Sequence, residues 1–569
     1  MQRISEESKV TQVTWEDDGT VDVLPGTPAR PEAAEPLFSV MNKAISRRTL
    51  LKGAGTATAT LVLTPTTMMV ADQVMADTAE NPEARLTFQT ISPGNEVDVV
   101  VPPGYRHYTI LKWGDPLFPD APEFDVNQQT GASQAQQFGF NADLVLFYPL
   151  PMFVMDDVES NGGSLSDATS TQLGAQYPEL KKRYADYALM VVNHEYTSAD
   201  DMFPDYDSEN PTQDQVEVEI EAHGCSIVQL QLNADRQWEF ARPSQFNRRI
   251  TGTTEIEITG PLAGDDLMKT SADPTGTRVM GMFNNCAGGK TPWGTILTCE
   301  ENFDQYFGNY EQVPAELKRF SDRIAAEDGA TDRKWENFDE RFDLSTEPTE
   351  YHRFGYIVEI DPYDPSFVPK KRTALGRFKH EGAACNVTAD GRVAVYSGDD
   401  ARFEYVYKFI SAQQYRRYGR TTNLDVLDNG ILYVGRFDAG DVEGDEMGTG
   451  VWLPLVWAPG NALDQAGYNS QAEVLLDTRG AADVLGATPM DRPEDIEVSS
   501  MTGKVYVCLT NNSRREEPNE ANPRVNNQHG HVIEIVEDGN DAGALTFTWN
   551  ILIKCGDPAQ DHDARFGTI

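Results

Sequence analysis

Six short segments carry side chains able to bind cations or move charge, and each lies against an apolar, strand-like run. They are Asn193-His194-Glu195-Tyr196, Asn285-Cys286-Ala287-Gly288, Thr298-Cys299-Glu300-Glu301-Asn302, Lys379-His380-Glu381-Gly382, Gly398-Asp399-Asp400 and Arg492-Pro493-Glu494-Asp495. A charge in an apolar context is rarely left without a partner. Several carboxylates converging at strand ends would repel one another unless cations bind between them, so metal is the economical explanation. Ligand softness sorts the ions: carboxylates and amide oxygens suit calcium or magnesium, whereas the thiolate of Cys286 draws a transition ion. A mixed site follows if Cys286 joins Glu381 and Glu494. Taken singly, each acid reads as a salt-bridged surface residue and Cys286 as a buried thiol. His194 and His380 each precede a glutamate, and strand alternation sends neighbours to opposite faces, so the histidine packs while the glutamate binds. With no His-Glu-x-x-His and no Cys-x-x-Cys, a zincin or zinc ribbon is excluded. Arg492 supplies the missing sign: it can clamp a phosphate or carboxylate bidentately, or pair structurally with Asp491 or Asp495.

Such residues need a scaffold, and the chain after residue 80 reads as strands. Short β-rich runs closed by Gly, Asp, Asn or Pro recur at Leu144–Phe147, Ala188–Asn193, Ser226–Leu232, Tyr356–Ile360, Val393–Ser397, Tyr405–Ile410, Val505–Leu509 and Val532–Val536. An all-β body of this size must hide its edges by radial or layered closure, which gives a β-propeller, the preferred reading, or a large sandwich. Asp390-Gly391 and Asp428-Asn429-Gly430 read as hairpin turns within blades. No strict repeat of ~40–45 residues marks the blades. Helical periodicity is confined to short candidates near 313–327 and 411–418, residues 308–350 form a charged helical excursion, and Ser513 to Gly530 form a long polar loop.

Composition bounds the partners. The 569 residues carry 90 acidic and 47 basic side chains, a net charge of −43, which excludes a nucleic-acid binder held by phosphate contacts. Six cysteines (Cys225, Cys286, Cys299, Cys385, Cys508 and Cys555) are too few to form a disulfide framework over this length and read as buried thiols or metal ligands. Near the amino end, Ser46-Arg47-Arg48-Thr49-Leu50-Leu51-Lys52 precedes a mild apolar run from Gly53 to Val70. The run is too short and polar for a membrane span, which needs about 20 apolar residues. The paired Arg47 and Arg48 resemble a twin-arginine export signal, with Val74-Met75-Ala76 suited to cleavage. Residues 1–76 are thus expected to be a leader and signal, and 77–569 one β-propeller domain.

Together the segments resemble the PhoX-type alkaline phosphatase family. The motifs that carry the resemblance are SRRTLLKG, VVNHEYT, AHGCSIV, NNCAGGKTPWGTILTCEENFDQYFG, GRFKHEGAACNV, GDDARFEYVYKF, MDRPEDIEV and NPRVNNQHGHVIEI, in that order over residues 46–535. The resemblance implies a six-bladed propeller with irregular helical and loop insertions, export by the twin-arginine machinery to the periplasm or beyond, and a monomer without a membrane span. It implies a cluster of two ferric and three calcium ions joined by an oxo group, and hydrolysis of phosphomonoesters to release inorganic phosphate. Carried over by motif, Cys286, Glu381 and Glu494 resemble iron ligands, and Glu195, Glu300, Glu301, Asp399 and Asp400 fall among the calcium ligands. Arg492 holds the phosphate, so that catalysis is mostly positioning and charge stabilisation. Family members continue well past the segment matching Val532–Ile553, so the resemblance also implies a C-terminally truncated propeller or a different closure. Two alternatives stand beside this reading: a non-catalytic, calcium-binding extracellular propeller, and a calcium-dependent propeller lactonase or phosphotriesterase. Both expect calcium without iron.

Overall fold

A chain of short, turn-punctuated strands buries its alternate side chains by pairing into sheets, and the described residues form four of them. The computed structural model describes residues 13–15, 21–23, 91–92, 94–150, 186–416, 420–442, 444–557 and 563–566. They fall into two compact units, Met1–Glu16 with Thr20–Thr109, and Asp17–Gly19 with Ile110–Ile569. In the first unit β1 (Val13–Trp15) pairs antiparallel with β2 (Val21–Val23). Arg47, Arg48 and the apolar run after them lie outside the described residues.

The second unit is mostly β-sheet. Its first sheet holds β3 (Ala142–Pro149), β4 (Tyr187–His194), β5 (Gly224–Leu232) and β6 (Trp238–Phe240) in sequential order, with β7 (Arg248–Ile250) also paired to β5. The next comprises β8 (Glu255–Thr259), β9 (Arg278–Met280), β10 (Asn285–Lys290), β11 (Ile296–Glu300), β12 (Ile357–Ile360) and β13 (Lys370–Arg372), ordered β10-β11-β12-β13-β8-β9. Its β13–β8 pair is parallel. The largest holds β14 (His380–Val387), β15 (Arg392–Asp399), β16 (Val406–Gln414), β17 (Gly430–Ala439), β18 (Met447–Pro454), β19 (Pro493–Val498), β20 (Val505–Leu509), β21 (His531–Glu537), β22 (Thr546–Lys554) and β23 (Arg565–Phe566). It runs β14-β15-β16-β17-β18-β22-β21-β20-β19, with β23 on β22, and curls until it is nearly closed. The expected strand runs all fall within these strands, apart from Tyr356 and Tyr405, which immediately precede β12 and β16. The expected β-rich body is therefore present.

Two glycines let neighbouring strands crowd together. A Cβ on Gly289 of β10 would stand 2.0 Å from the carbonyl oxygen of Ala383 in β14. One on Gly398 of β15 would stand 2.3 Å from that of Glu494 in β19. Only a residue without a side chain permits approaches this close. Under the sheets lies a large apolar core. Its aromatic centre joins Phe283, Tyr306, Trp335, Phe342 and Phe354, all 0% exposed, with Tyr306 and Trp335 stacked at 4.8 Å. Each such ring contributes about 1.5–3 kcal/mol by burial, so the core anchors residues 303–354. A second core fills the curled sheet with Tyr396, Trp452, Phe547 and Trp549. There Lys408 and Glu537 form a sealed ion pair, completed by bonds to Glu537 from Tyr396 (2.6 Å) and Trp452 (3.1 Å).

The helical expectations need correction. The 308–350 excursion is a chain of 3-10 turns with one four-residue α-helix, Ala315–Lys318, because its aromatics anchor into the core at irregular intervals. Residues 411–414, part of a helical candidate, continue β16. Conversely, α1 (Gln213–Ala222), α2 (Gln471–Leu476) and α3 (Thr478–Leu485) carry no long apolar period. The start of α1 is set by a capping box, in which Thr212 and Gln215 satisfy each other's backbone N–H groups at 3.3 and 2.8 Å. Asp477 caps α3, which ends at the left-handed Gly486.

Candidate functional site

One register recurs in four antiparallel strand pairs. In β3/β4, β10/β11, β14/β15 and β19/β20 the first residue of one strand faces the last of the next: Ala142 with His194, Asn285 with Glu300, His380 with Asp399, Pro493 with Leu509. Each pair then carries a bulge in which the first strand gains one residue. Such an insertion re-aims a side chain locally. The residue at the second position of the bulged strand is Asp143, Cys286, Glu381 and Glu494 in turn. The residue just past the end of the partner strand is Glu195, Glu301, Asp400 and Thr510. Seven of these eight are acids or a thiol.

They meet. Donor atoms of Asp143, Glu195 and Cys286 lie within 4.8 Å of one another, as do those of Cys286, Glu301 and Glu381, and those of Glu381, Asp400 and Glu494. Shared members chain the three groups into one cluster. The Cys286 thiol sits 3.0 Å from both Asp143 Oδ2 and Glu381 Oε1. Arg492 closes the far end, its Nη2 at 2.6 Å from Asp400 Oδ2 and 3.5 Å from Glu494 Oε1. Its backbone is held at φ 54°, a left-handed conformation that a non-glycine residue keeps only under constraint.

The electrostatics are those of crowded acidic groups without enough counter-charge. Burial first, and then the Asp143 carboxylate, push Glu195 up to about 8. Burial and Asp400 push Glu494 up to about 7. Glu301 and Glu381 are raised well above the usual carboxylate range by burial and by neighbouring acids, and the Cys286 thiol is raised by burial and by Glu301. Asp400 Oδ1 is buried without a hydrogen-bond partner. Groups this crowded hold their charge only if cations share them. The donor set of carboxylate oxygens plus one sulfur fits hard cations beside a softer transition ion.

Of the residues singled out in the sequence, Cys286, Glu381, Glu494, Glu195, Glu301, Asp400 and Arg492 stand together here. Glu300 and Asp399 do not. Each is the last residue of its strand, so pleat alternation turns it away from the neighbour that faces the cluster. Glu300, 0% exposed, pairs with Lys371 at 2.7 Å and accepts the backbone N–H groups of Gly355 and Tyr356 at 3.0 and 3.1 Å. Asp399 is bound bidentately by Arg479 at 2.5 and 2.8 Å. Both acids stand instead in buried ion pairs at the strand ends, outside the cluster. The histidines pack. His194 Nε2 meets Ser226 Oγ at 2.7 Å, and His380 bonds Ser397 Oγ and Gly376 O, both at 3.0 Å. Asp143 was missed in the sequence. Its signal was there, since it directly precedes the Leu144–Phe147 strand run and so shares the strand-end placement of the others.

The family model described as alkaline phosphatase PhoX matches residues 86–568. The solved structure of Pseudomonas fluorescens PhoX in complex with vanadate, a transition state analogue, is similar with a TM-score of 0.73 and 38% sequence identity, covering 84% of this chain and 78% of that one. No match was found among curated proteins. A match over most of the chain, joined to this structural likeness, shows that the chain belongs to the PhoX alkaline phosphatase family and is a phosphatase acting on phosphoesters.

Proposed function

We propose that the protein is an exported phosphatase that releases inorganic phosphate from phosphomonoesters at a mixed iron and calcium cluster. The observation that carries this reading is the linked cluster of Asp143, Glu195, Cys286, Glu301, Glu381, Asp400 and Glu494 with Arg492 at its edge. Cys286, Glu381 and Glu494 would hold two ferric ions, and the other acids three calcium ions. Asp143 replaces Glu300 and Asp399 in the set derived from the sequence. When bound, these cations supply Lewis-acid polarisation of phosphoryl oxygens and neutralise the charge that develops in the transition state. Arg492 binds the equatorial oxygens of the phosphoryl group through its planar fork, and its constrained backbone fixes the direction of approach.

The repeated bulged strand pairs support a propeller, with each pair an inner part of one blade and the cluster at the blade ends; the six-bladed form comes from the resemblance. Export rests on Arg47 and Arg48 and on the Ala- and Thr-rich run after them, which suit the twin-arginine machinery. Among the described residues no helix is long and apolar enough to cross a membrane. A monomer that works in the periplasm or outside the cell completes the proposal. The test is elemental analysis of natively exported protein together with release from p-nitrophenyl phosphate at alkaline pH. Iron and calcium with turnover are expected. Metal-replete protein without turnover overturns the proposal, and calcium without iron overturns the assignment of Cys286.

A further inference from the structure

Three of the four strand pairs deliver a carboxylate at the position just past the second strand: Glu195 after His194, Glu301 after Glu300, Asp400 after Asp399. The fourth, β19/β20, has the same register and the same one-residue bulge, yet its equivalent residue is Thr510, after Leu509. The fold thus places a hydroxyl where symmetry of position calls for an acid. Thr510 Oγ1 is sealed from solvent, faces the Glu494 carboxylate and has no well-formed hydrogen bond. Its backbone N–H donates to the carbonyl oxygen of Arg492 at 3.2 Å, so the two residues are tied together. The next residue, Asn511, is buried and accepts from Arg492 Nη1 at 3.4 Å. Beside its single carboxylate, Glu494, this sector therefore presents a guanidinium, a hydroxyl and a neutral amide, whereas the sectors holding Asp143 with Glu195, Cys286 with Glu301 and Glu381 with Asp400 each present two acidic groups.

We propose that Thr510 is the gap in the anionic ring through which the substrate's oxyanion reaches the cluster, and that its hydroxyl donates to a phosphoryl oxygen beside Arg492. Asn511 acts as a positioning residue for Arg492. The physical case is one of sign. A phosphate dianion cannot settle beside a fourth strand-end carboxylate without direct repulsion, while a hydroxyl there is both tolerant and able to donate. A donor to a charged oxygen also gives selectivity, since a ligand that cannot accept leaves the hydroxyl to Glu494 and gains nothing from it. The inference rests on the phosphatase reading above and adds to it the residue that admits and grips the anion.

The test uses the full-length metal-loaded enzyme and its T510V, T510S and T510E variants. It measures metal content, calorimetric binding of orthophosphate, and kcat and KM for p-nitrophenyl phosphate. In T510V the orthophosphate Kd and the KM should both rise about tenfold, the loss of one hydrogen bond to a charged group, with metal content at the wild-type level. T510S should restore both to within about twofold. T510E should abolish orthophosphate binding while keeping the metals, and N511A should lower kcat more than it raises KM. Wild-type orthophosphate affinity in T510V, or failure of T510S to rescue, overturns the role of Thr510. Loss of metal from T510V also overturns it, because the hydroxyl would then belong to the metal shell. A wild-type enzyme that binds its metals yet neither binds orthophosphate nor turns over would instead overturn the phosphatase reading, an outcome these variants cannot produce.

Discussion

Adjacent residues with the same side chain should respond to mutation in opposite ways. Glu300 is completely buried, and its carboxylate holds the Lys371 ammonium at 2.7 Å and three backbone N–H groups, those of Gly355, Tyr356 and Phe283, at 3.0–3.3 Å. Glu300→Gln keeps the shape but leaves the buried Lys371 charge without its counter-ion. Breaking one side of a buried pair typically costs 3–5 kcal/mol. Against a total stability of roughly 5–15 kcal/mol for a folded domain, that loss alone removes a large fraction. Glu301 has the opposite balance. Its pKa is raised by burial and by Glu381, Asp400 and Glu195, so neutralising it in chelated protein relieves repulsion. Glu301→Gln should leave the metal-free stability unchanged or raise it by about 1 kcal/mol, while weakening cation binding about tenfold or more. Urea denaturation of both variants in chelator gives the stabilities, and titration with calcium gives the affinities. If Glu301→Gln unfolds the chelated protein more readily than Glu300→Gln does, or if Glu300→Gln alone lowers calcium affinity, the assignment of the two faces of β11 is wrong.

Three further outcomes are open to direct measurement. Asp143→Asn should lower bound metal and the phosphatase rate at least tenfold while leaving the far-ultraviolet circular dichroism unchanged, a retained metal complement being the contrary result. Arg492→Lys keeps the charge but loses the planar fork, so kcat/KM should fall by about 10- to 100-fold with metal content intact; equal kcat/KM would exclude bidentate gripping of the substrate. Burial lowers His352 to about 3, below its ordinary value near 6.5. A depressed folded-state pKa gives stability that is complete above about pH 6.5 and lost as pH falls toward 3, with a slope of about 1.4 kcal/mol per pH unit. Gln can reproduce the bond of His352 Nδ1 to Leu267 O at 3.0 Å, so His352→Gln should lose stability less steeply than wild type between pH 6 and 4. Parallel slopes would refute the linkage.

Much of the fold and site could be read from residue order, and the misses have physical causes. Strands announced themselves because apolar runs end in turn residues, and the cluster acids because they sit where those runs stop. The choice between Glu300 and Glu301, or between Asp399 and Asp400, could not be made from sequence, because alternation says that neighbours diverge without saying which one faces inward. Register decides that, and register is set by bulges that no motif marks. Asp143 escaped because its segment, Asn141-Ala142-Asp143, resembles an ordinary loop until β3 is aligned with β4. Helix α1 escaped because it is short and buries Glu219 and Glu221 as well as apolar residues, which blurs its period; only Thr212 and Gln215 signalled its start.

The shared bulge means that the site's geometry is written in backbone spacing more than in side-chain identity. The four inner segments, Ala-Asp-Leu-Val, Asn-Cys-Ala-Gly, His-Glu-Gly-Ala and Pro-Glu-Asp-Ile, have almost nothing in common as text, yet each presents its second side chain to the same focus. Residue identity at that spot is therefore exchangeable in a way that chain length is not. Evolution or a designer is free to trade oxygen for sulfur or nitrogen there and so retune the chemistry, but deleting a single amino acid from one arm would rotate that arm's contribution to the reverse side of the sheet.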